Sequence, residues 1–161
     1  MNNLLAVSGL DSYSAQLHTG FSGVAHSLGS TAFSGHTKAS CNSLPPSNEV
    51  YPRSVASAYG FNAYYQHNWH GEGMTINLVE IDGVTARDVA FYQQCVGYQG
   101  HITVKDIDSA PSQASGESVL DIEMIEGLDR NVNIVDYETG TPSAVNVEDE
   151  LQQIVDDNTK N

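Results

Sequence analysis

Beyond Pro52 the chain repeats one pattern: a short run of β-branched and aliphatic residues, then a longer stretch with helical spacing. The short runs are 74–80, 101–105 and 132–137, the first introduced by Gly71-Glu72-Gly73. The longer stretches are 85–96, with Thr85 as the cap, 117–128, and 147–157, which opens on an acidic turn. Runs of five to seven residues are too short for helices, and stretches of about 11 residues with apolar positions three and four apart are too long for strands. Two shorter helical segments, 54–59 and 62–67, are separated by Gly60. Strands alternating with helices imply βαβ units, so the fold class is α/β, with a mainly parallel sheet flanked by helices.

The first third of the chain is different. Residues 14–48 are rich in Ser, Gly, Thr and His and end in Leu44-Pro45-Pro46-Ser47. No period of two or 3.6 holds there, so the segment reads as a linker or extended loop, with 4–10 a candidate strand before it. The boundary falls near residue 50, giving segments 1–50 and 51–161. Charge divides at the same place. Residues 1–50 contain only Asp11, Lys38 and Glu49 as charged residues, so 51–161 carry −13 of the net −14. Such a surface repels phosphate backbones, which argues against nucleic acid as a partner. It suits either solubility or work at low pH, where carboxylates neutralise. No apolar run is long enough to span a bilayer, and the N-terminus has no basic region before its short apolar stretch, so no signal peptide is visible. Either the protein stays inside the cell or a true N-terminus precedes Met1. Cys41 and Cys95 have no metal-ligand spacing; they pair if the protein is exported, or stay as buried thiols.

The segment Gly116-Glu117-Ser118-Val119-Leu120-Asp121-Ile122-Glu123-Met124-Ile125-Glu126-Gly127-Leu128 carries the chemistry. With Glu117 at zero on a helical wheel, Asp121 falls at about 40°, Met124 at about −20° and Leu128 at about 20°. Glu117 and Asp121 are thus expected in an apolar stripe one turn apart, with Glu123 and Glu126 on the polar side. Carboxyls in an apolar stripe are costly unless paired or neutral, so this pair is expected to share a proton, as a general base working in acid requires. The competing account is a helix N-terminus whose dipole attracts Glu117, with Asp121 facing a surface groove.

Gly-Glu-x-x-x-Asp-Ile-Glu followed by Asn131-Val-Asn-Ile-Val-Asp-Tyr137 resembles the acid motif of the sedolisins, the serine-carboxyl peptidases. Other segments agree in order. Ser54-Val-Ala-Ser-Ala-Tyr-Gly-Phe61 is similar to the first helix of the mature catalytic domain, and Gly71-x-Gly-Met-Thr-Ile-Asn-Leu-Val-Glu80 to its first sheet strand. Val7-Ser-Gly-Leu-Asp11 looks like the last strand of the propeptide, which makes 1–50 a propeptide remnant and processing linker and 51–161 the N-terminal part of the catalytic domain.

The resemblance implies a subtilisin-like fold and a serine-type endopeptidase acting on polypeptides at acid pH, extracellular as the family is. Glu117 would be the general base, Asp121 its hydrogen-bonded partner, and Glu80 an accessory acid extending the network. The sequence departs from the family in lacking a Ser-Gly-Thr-Ser segment for the nucleophile, a later oxyanion Asp, and the calcium loop. No cofactor is therefore expected in this chain; calcium belongs to the full-length family domain. Because a three-strand parallel sheet is a poor stopping point, the chain is expected to be truncated, with the C-terminal part of the catalytic domain as its missing partner. The alternatives are a catalytically inactive remnant of a split gene and a peptide-binding module without catalysis.

Weaker signals remain. His67-Asn-Trp-His70 has an H-x-x-H spacing without a third ligand, which favours surface histidines over a metal site. Gly71-x-Gly precedes a strand rather than a helix, the wrong order for a dinucleotide site. Asp82, Asp106 and Asp108 either line a substrate cleft or are solvated loop acids. Tyr59, Tyr64, Tyr65 and Trp69 are expected to pin the segment before the first strand against the sheet.

Overall fold

The computed structural model describes residues 24–27, 51–114, 116–140 and 143–159. In chain order these form β1 (Val24–Ser27), α1 (Pro52–Ala58), α2 (Asn62–Tyr65), β2 (Thr75–Glu80), α3 (Ala86–Val96), β3 (Ile102–Asp106), α4 (Glu117–Leu128), β4 (Asn133–Glu138) and α5 (Ala144–Thr159). The fold is α/β. Its three parallel strands and flanking helices lie where the sequence pattern puts them. The candidate strand at 4–10 lies outside the described residues.

Local chemistry explains several boundaries. Pro52 opens α1, where its missing N–H costs nothing. The backbone N–H of Tyr51 donates to Ser54 Oγ, which donates back to the Tyr51 carbonyl, closing the first turn. Helix α3 ends at Gly97, whose φ of 71° is the left-handed conformation that glycine adopts without strain.

The sheet order is β1-β3-β4-β2. β4 pairs in parallel with both β2 and β3, while β1 pairs antiparallel with β3, Val24 opposite Asp106 and Ser27 opposite Thr103. β1 corrects the reading of 14–48 as structureless linker. Four residues are too few to show a period, and the strand exists because β3 offers it an edge.

The parallel register places Ile76, Leu78 and Glu80 beside Ile134, Asp136 and Glu138, and these beside Ile102, Val104 and Asp106. All nine therefore share one face. Its first row is aliphatic and its second is aliphatic apart from Asp136; with Val89, Ile122 and Val132 these aliphatic residues build the core. Its last row is Glu80, Glu138 and Asp106, three acids side by side.

The turns before β3 and β4 pack closely. The amides of Gln99 and Gly100 donate to the Arg130 carbonyl, and Tyr98 Oη donates to that of Val132. A Cβ on Gly100 would lie 1.9 Å from the Val132 carbonyl oxygen, a backbone atom that cannot step aside. Gly100→Ala is therefore expected to cost about 3 kcal/mol or more, measured by urea unfolding. Gly73→Ala should cost only about 1 kcal/mol, because its φ of 74° is strained for alanine but nothing lies within 4 Å. Equal losses at the two positions would contradict this packing.

The aromatic cluster departs from expectation. Tyr65 does pin its segment, donating its hydroxyl to the Leu128 carbonyl at 2.6 Å. Tyr59, Tyr64 and Trp69 are instead 79%, 54% and 58% exposed. His67 stacks on Trp69 and His70 on Tyr65, so each of the two histidines has its own ring partner. Cys95 is disulfide-bonded; Cys41 lies outside the described residues. Among the described residues, no helix is long and apolar enough to cross a membrane.

Candidate functional site

Carboxyl groups converge at the carboxyl ends of the parallel strands, where open α/β sheets bind ligands. β2 brings Glu80, and the turn after it Asp82. β4 brings Asp136 and Glu138, and the first turns of α4 bring Glu117 and Asp121. Gly116, with φ 109°, turns the chain into α4. Asp82 Oδ2 accepts the backbone N–H of Gly116 at 2.9 Å and of Glu117 at 3.1 Å, satisfying amides that a helix N-terminus leaves free. Asp82 is thus the anchor of α4 and not a solvated loop acid. Asp108 is held by the Asn146 side chain, which donates to its Oδ2 at 3.0 Å.

Glu80 is 5% exposed, and its carboxyl shares a hydrogen bond with Asp121. Burial first, then the charges of Asp136, Asp121 and Glu117, push it up to about 8. Glu80 therefore holds a proton at neutral pH, and that proton allows two acids to bond. The three residues named from the sequence are brought together, with Glu80 as the buried member.

The helical wheel is overturned. Glu117, Leu120 and Asp121 lie on the exposed side of α4, Leu120 at 58%. Ser118, Ile122 and Glu126 are fully buried, and Glu123 is half-buried. The reason is that α4 is covered on a second side. Gly127 lies against Pro52 of α1 and Tyr92 of α3. Gln93 of α3 donates to Glu126 Oε1 at 2.8 Å. Glu126 Oε2 has no partner, and burial pushes this acid up to about 8. The carboxyl that meets the buried Glu80 from α4 is that of Asp121.

Sequence reasoning missed the acids behind this surface. Asp136 is fully buried and accepts the Ser118 hydroxyl at 2.8 Å on Oδ2. Its carboxyl also shares a hydrogen bond with that of Glu138, which accepts the Val84 amide at 2.8 Å. Burial is the main cause that raises both, so the pair retains a proton. On α5, Glu150 is fully buried with neither oxygen partnered, and burial followed by the charges of Asp136 and Glu80 pushes it up to about 8. The available signal was an acid inside or ending each β-branched run: Glu80, Asp106, Asp136 and Glu138.

Among the described residues, no group of three or more His, Cys, Asp or Glu is arranged to hold a metal ion. What the arrangement offers is an exposed carboxyl pair backed by protonated, buried carboxyls. It can accept a proton at the surface and hold one beneath. Comparison with known proteins found no matching family model, no matching curated protein and no matching solved structure.

Proposed function

We propose that this chain is the acid half of a serine-carboxyl endopeptidase of the sedolisin type, acting on polypeptides at acid pH, with a subtilisin-like fold. The observation that carries the reading is the docking of the first turn of α4, which bears Glu117 and Asp121, onto the turn after Glu80 through Asp82, at the carboxyl edge of the parallel sheet. Glu117 takes the proton from a serine hydroxyl. Asp121, one turn on, orients and tunes Glu117, and Glu80 extends the network inward. A general base and its partner must reach the reacting group, and the exposure of Glu117 and Asp121 leaves them open to one.

The serine, the oxyanion acid and the calcium loop have no counterpart among these 161 residues. A second polypeptide segment, bearing Ser-Gly-Thr-Ser, is the partner this reading requires. The disulfide at Cys95 agrees with an oxidising, extracellular location.

A second reading is a peptide-binding module without catalysis. Complementation separates the two. The full chain alone is expected to show no turnover of casein between pH 3 and 7, because a general base without a nucleophile forms no acyl-enzyme. Refolded together with a sedolisin-type polypeptide that carries the serine segment, it is expected to cleave casein in acid. A stable complex with no turnover would sink the peptidase reading and leave the binding module.

A further inference from the structure

Asp136 stands where the sheet asks for an aliphatic residue. Its register neighbours are Leu78 on one side and Val104 on the other, and Ile134 lies two residues earlier on the same face. The side chain is fully buried and Oδ1 has no partner. A buried carboxyl with one unsatisfied oxygen is a poor way to fill a core, because an apolar side chain of similar volume at such a site is often neutral or stabilising. What Asp136 does have, besides the neighbouring carboxyl of Glu138, is Ser118, itself fully buried, whose hydroxyl it receives at 2.8 Å. Ser118 lies in the first turn of α4, between Glu117 and the helix body that carries Asp121.

We propose that Asp136 is a positioning residue of the acid site: from the middle of β4 it holds the first turn of α4 through Ser118, and so sets Glu117 and Asp121 against Glu80.

Two carboxyls then divide the work of fixing that turn. Asp82 takes its backbone amides and Asp136 its buried hydroxyl. Because a helix is stiff over one turn, fixing residue 118 fixes residue 121. Asp136 also acts on Glu80 directly, as the largest single charge that bears on it. The groups facing Asp136 from the elements around it are Glu138 on its own strand, Glu80 on β2, Asp82 beyond β2, Asp121 on α4 and Glu150 on α5, all of them carboxyls. The chemistry that Asp136 would serve rests on the peptidase reading, but its effect on Glu80 does not.

Carboxyl-carbon NMR of the full chain tests the proposal. In Asp136→Asn, the Glu80 midpoint is expected to fall by about one pH unit, a tenfold loss of proton affinity. Ser118→Ala removes the donor that keeps Asp136 ionised, so it is expected to lower the Glu80 midpoint in the same direction by a smaller amount. A merely structural Asp136 would alter the melting temperature and leave Glu80 where it was; that result in a folded variant overturns the proposal. If neither variant folds, the wild-type chain decides. Its Glu80 resonance must show a second step at the pH where Asp136 titrates, and a single-step curve rejects the idea. Absence of complemented activity in the parent chain, with Glu80 shifted as expected in the variants, would count against the peptidase reading and not against this placement.

Discussion

The melting temperature of this chain is expected to rise as the pH falls from about 8 to about 5, by on the order of 10 °C. Glu80, Glu126 and Glu150 are each raised from 4.5 to about 8, chiefly by burial, and Asp136 from 3.8 to about 6. Between the ordinary and the raised values the folded chain binds more protons than the unfolded one, so its stability declines as protons are removed. The contribution of these groups is complete below the unfolded values. It is lost as the pH climbs through the folded ones, first near 6 for Asp136 and then near 8 for the three glutamates.

Two groups work in the opposite sense. Hydrogen bonds from the His70 amide and the Asn131 side chain hold Glu72 down at about 2, and Lys105 and Tyr137 hold Asp157 low. Their contributions are present above the ordinary carboxylate range and are lost only in stronger acid. The two sets together give a stability maximum in mild acid. Circular dichroism melts at pH 5, 6.5 and 8 measure it. Repeating them in 1 M salt separates buried protonation from surface repulsion, because salt screens the exposed part of the −14 charge and leaves buried groups largely untouched. A flat profile, or a difference that vanishes in salt, would refute the buried-carboxyl account.

Much of this architecture is legible from residues 74 onward. Strand runs such as Ile76-Asn77-Leu78-Val79 and helices of fixed length leave few alternatives, and the bounds of α4 coincide with the sequence reading at both ends. Two things were not legible, for different physical reasons. β1 has too few residues for periodicity and depends on a partner distant in the chain. The buried side of α4 was misplaced because the wheel was centred on Glu117, as though the helix had one apolar stripe. The buried line is instead Ser118, Ile122 and Glu126, four residues apart, and two of the three are polar. Hydrophobicity cannot find such a line. Spacing could have, since Ser118 and Gly127 are small residues that permit close approach by a strand and by Pro52. The Asp136–Glu138 pair behind Glu80 emerged only from the placement of β4 in the sheet.

Once the chain is complemented with a serine-bearing partner, Glu117→Gln is expected to lower kcat/KM by about 10²- to 10⁴-fold, the usual worth of a general base. Glutamine keeps the shape and can still hydrogen-bond, but it cannot take the serine's proton. Asp121→Asn should give a smaller loss, because in the proposed mechanism Asp121 acts through Glu117 and its contact with Glu80 survives in part through the amide. The informative comparison is Glu123→Gln, on the same helix. Glu123 is half-buried, and the charge that bears on it is that of Asp88 of α3, away from the sheet edge. Neutralising it should leave turnover within about twofold of the parent, because only a carboxyl at the strand ends can meet the serine. Kinetics for the three variants at one acid pH, each with a melting curve to confirm folding, measure this. Equal losses at Glu117 and Glu123 would mean that helix charge alone matters. Retention of more than a tenth of the activity by folded Glu117→Gln would remove Glu117 from the role of base.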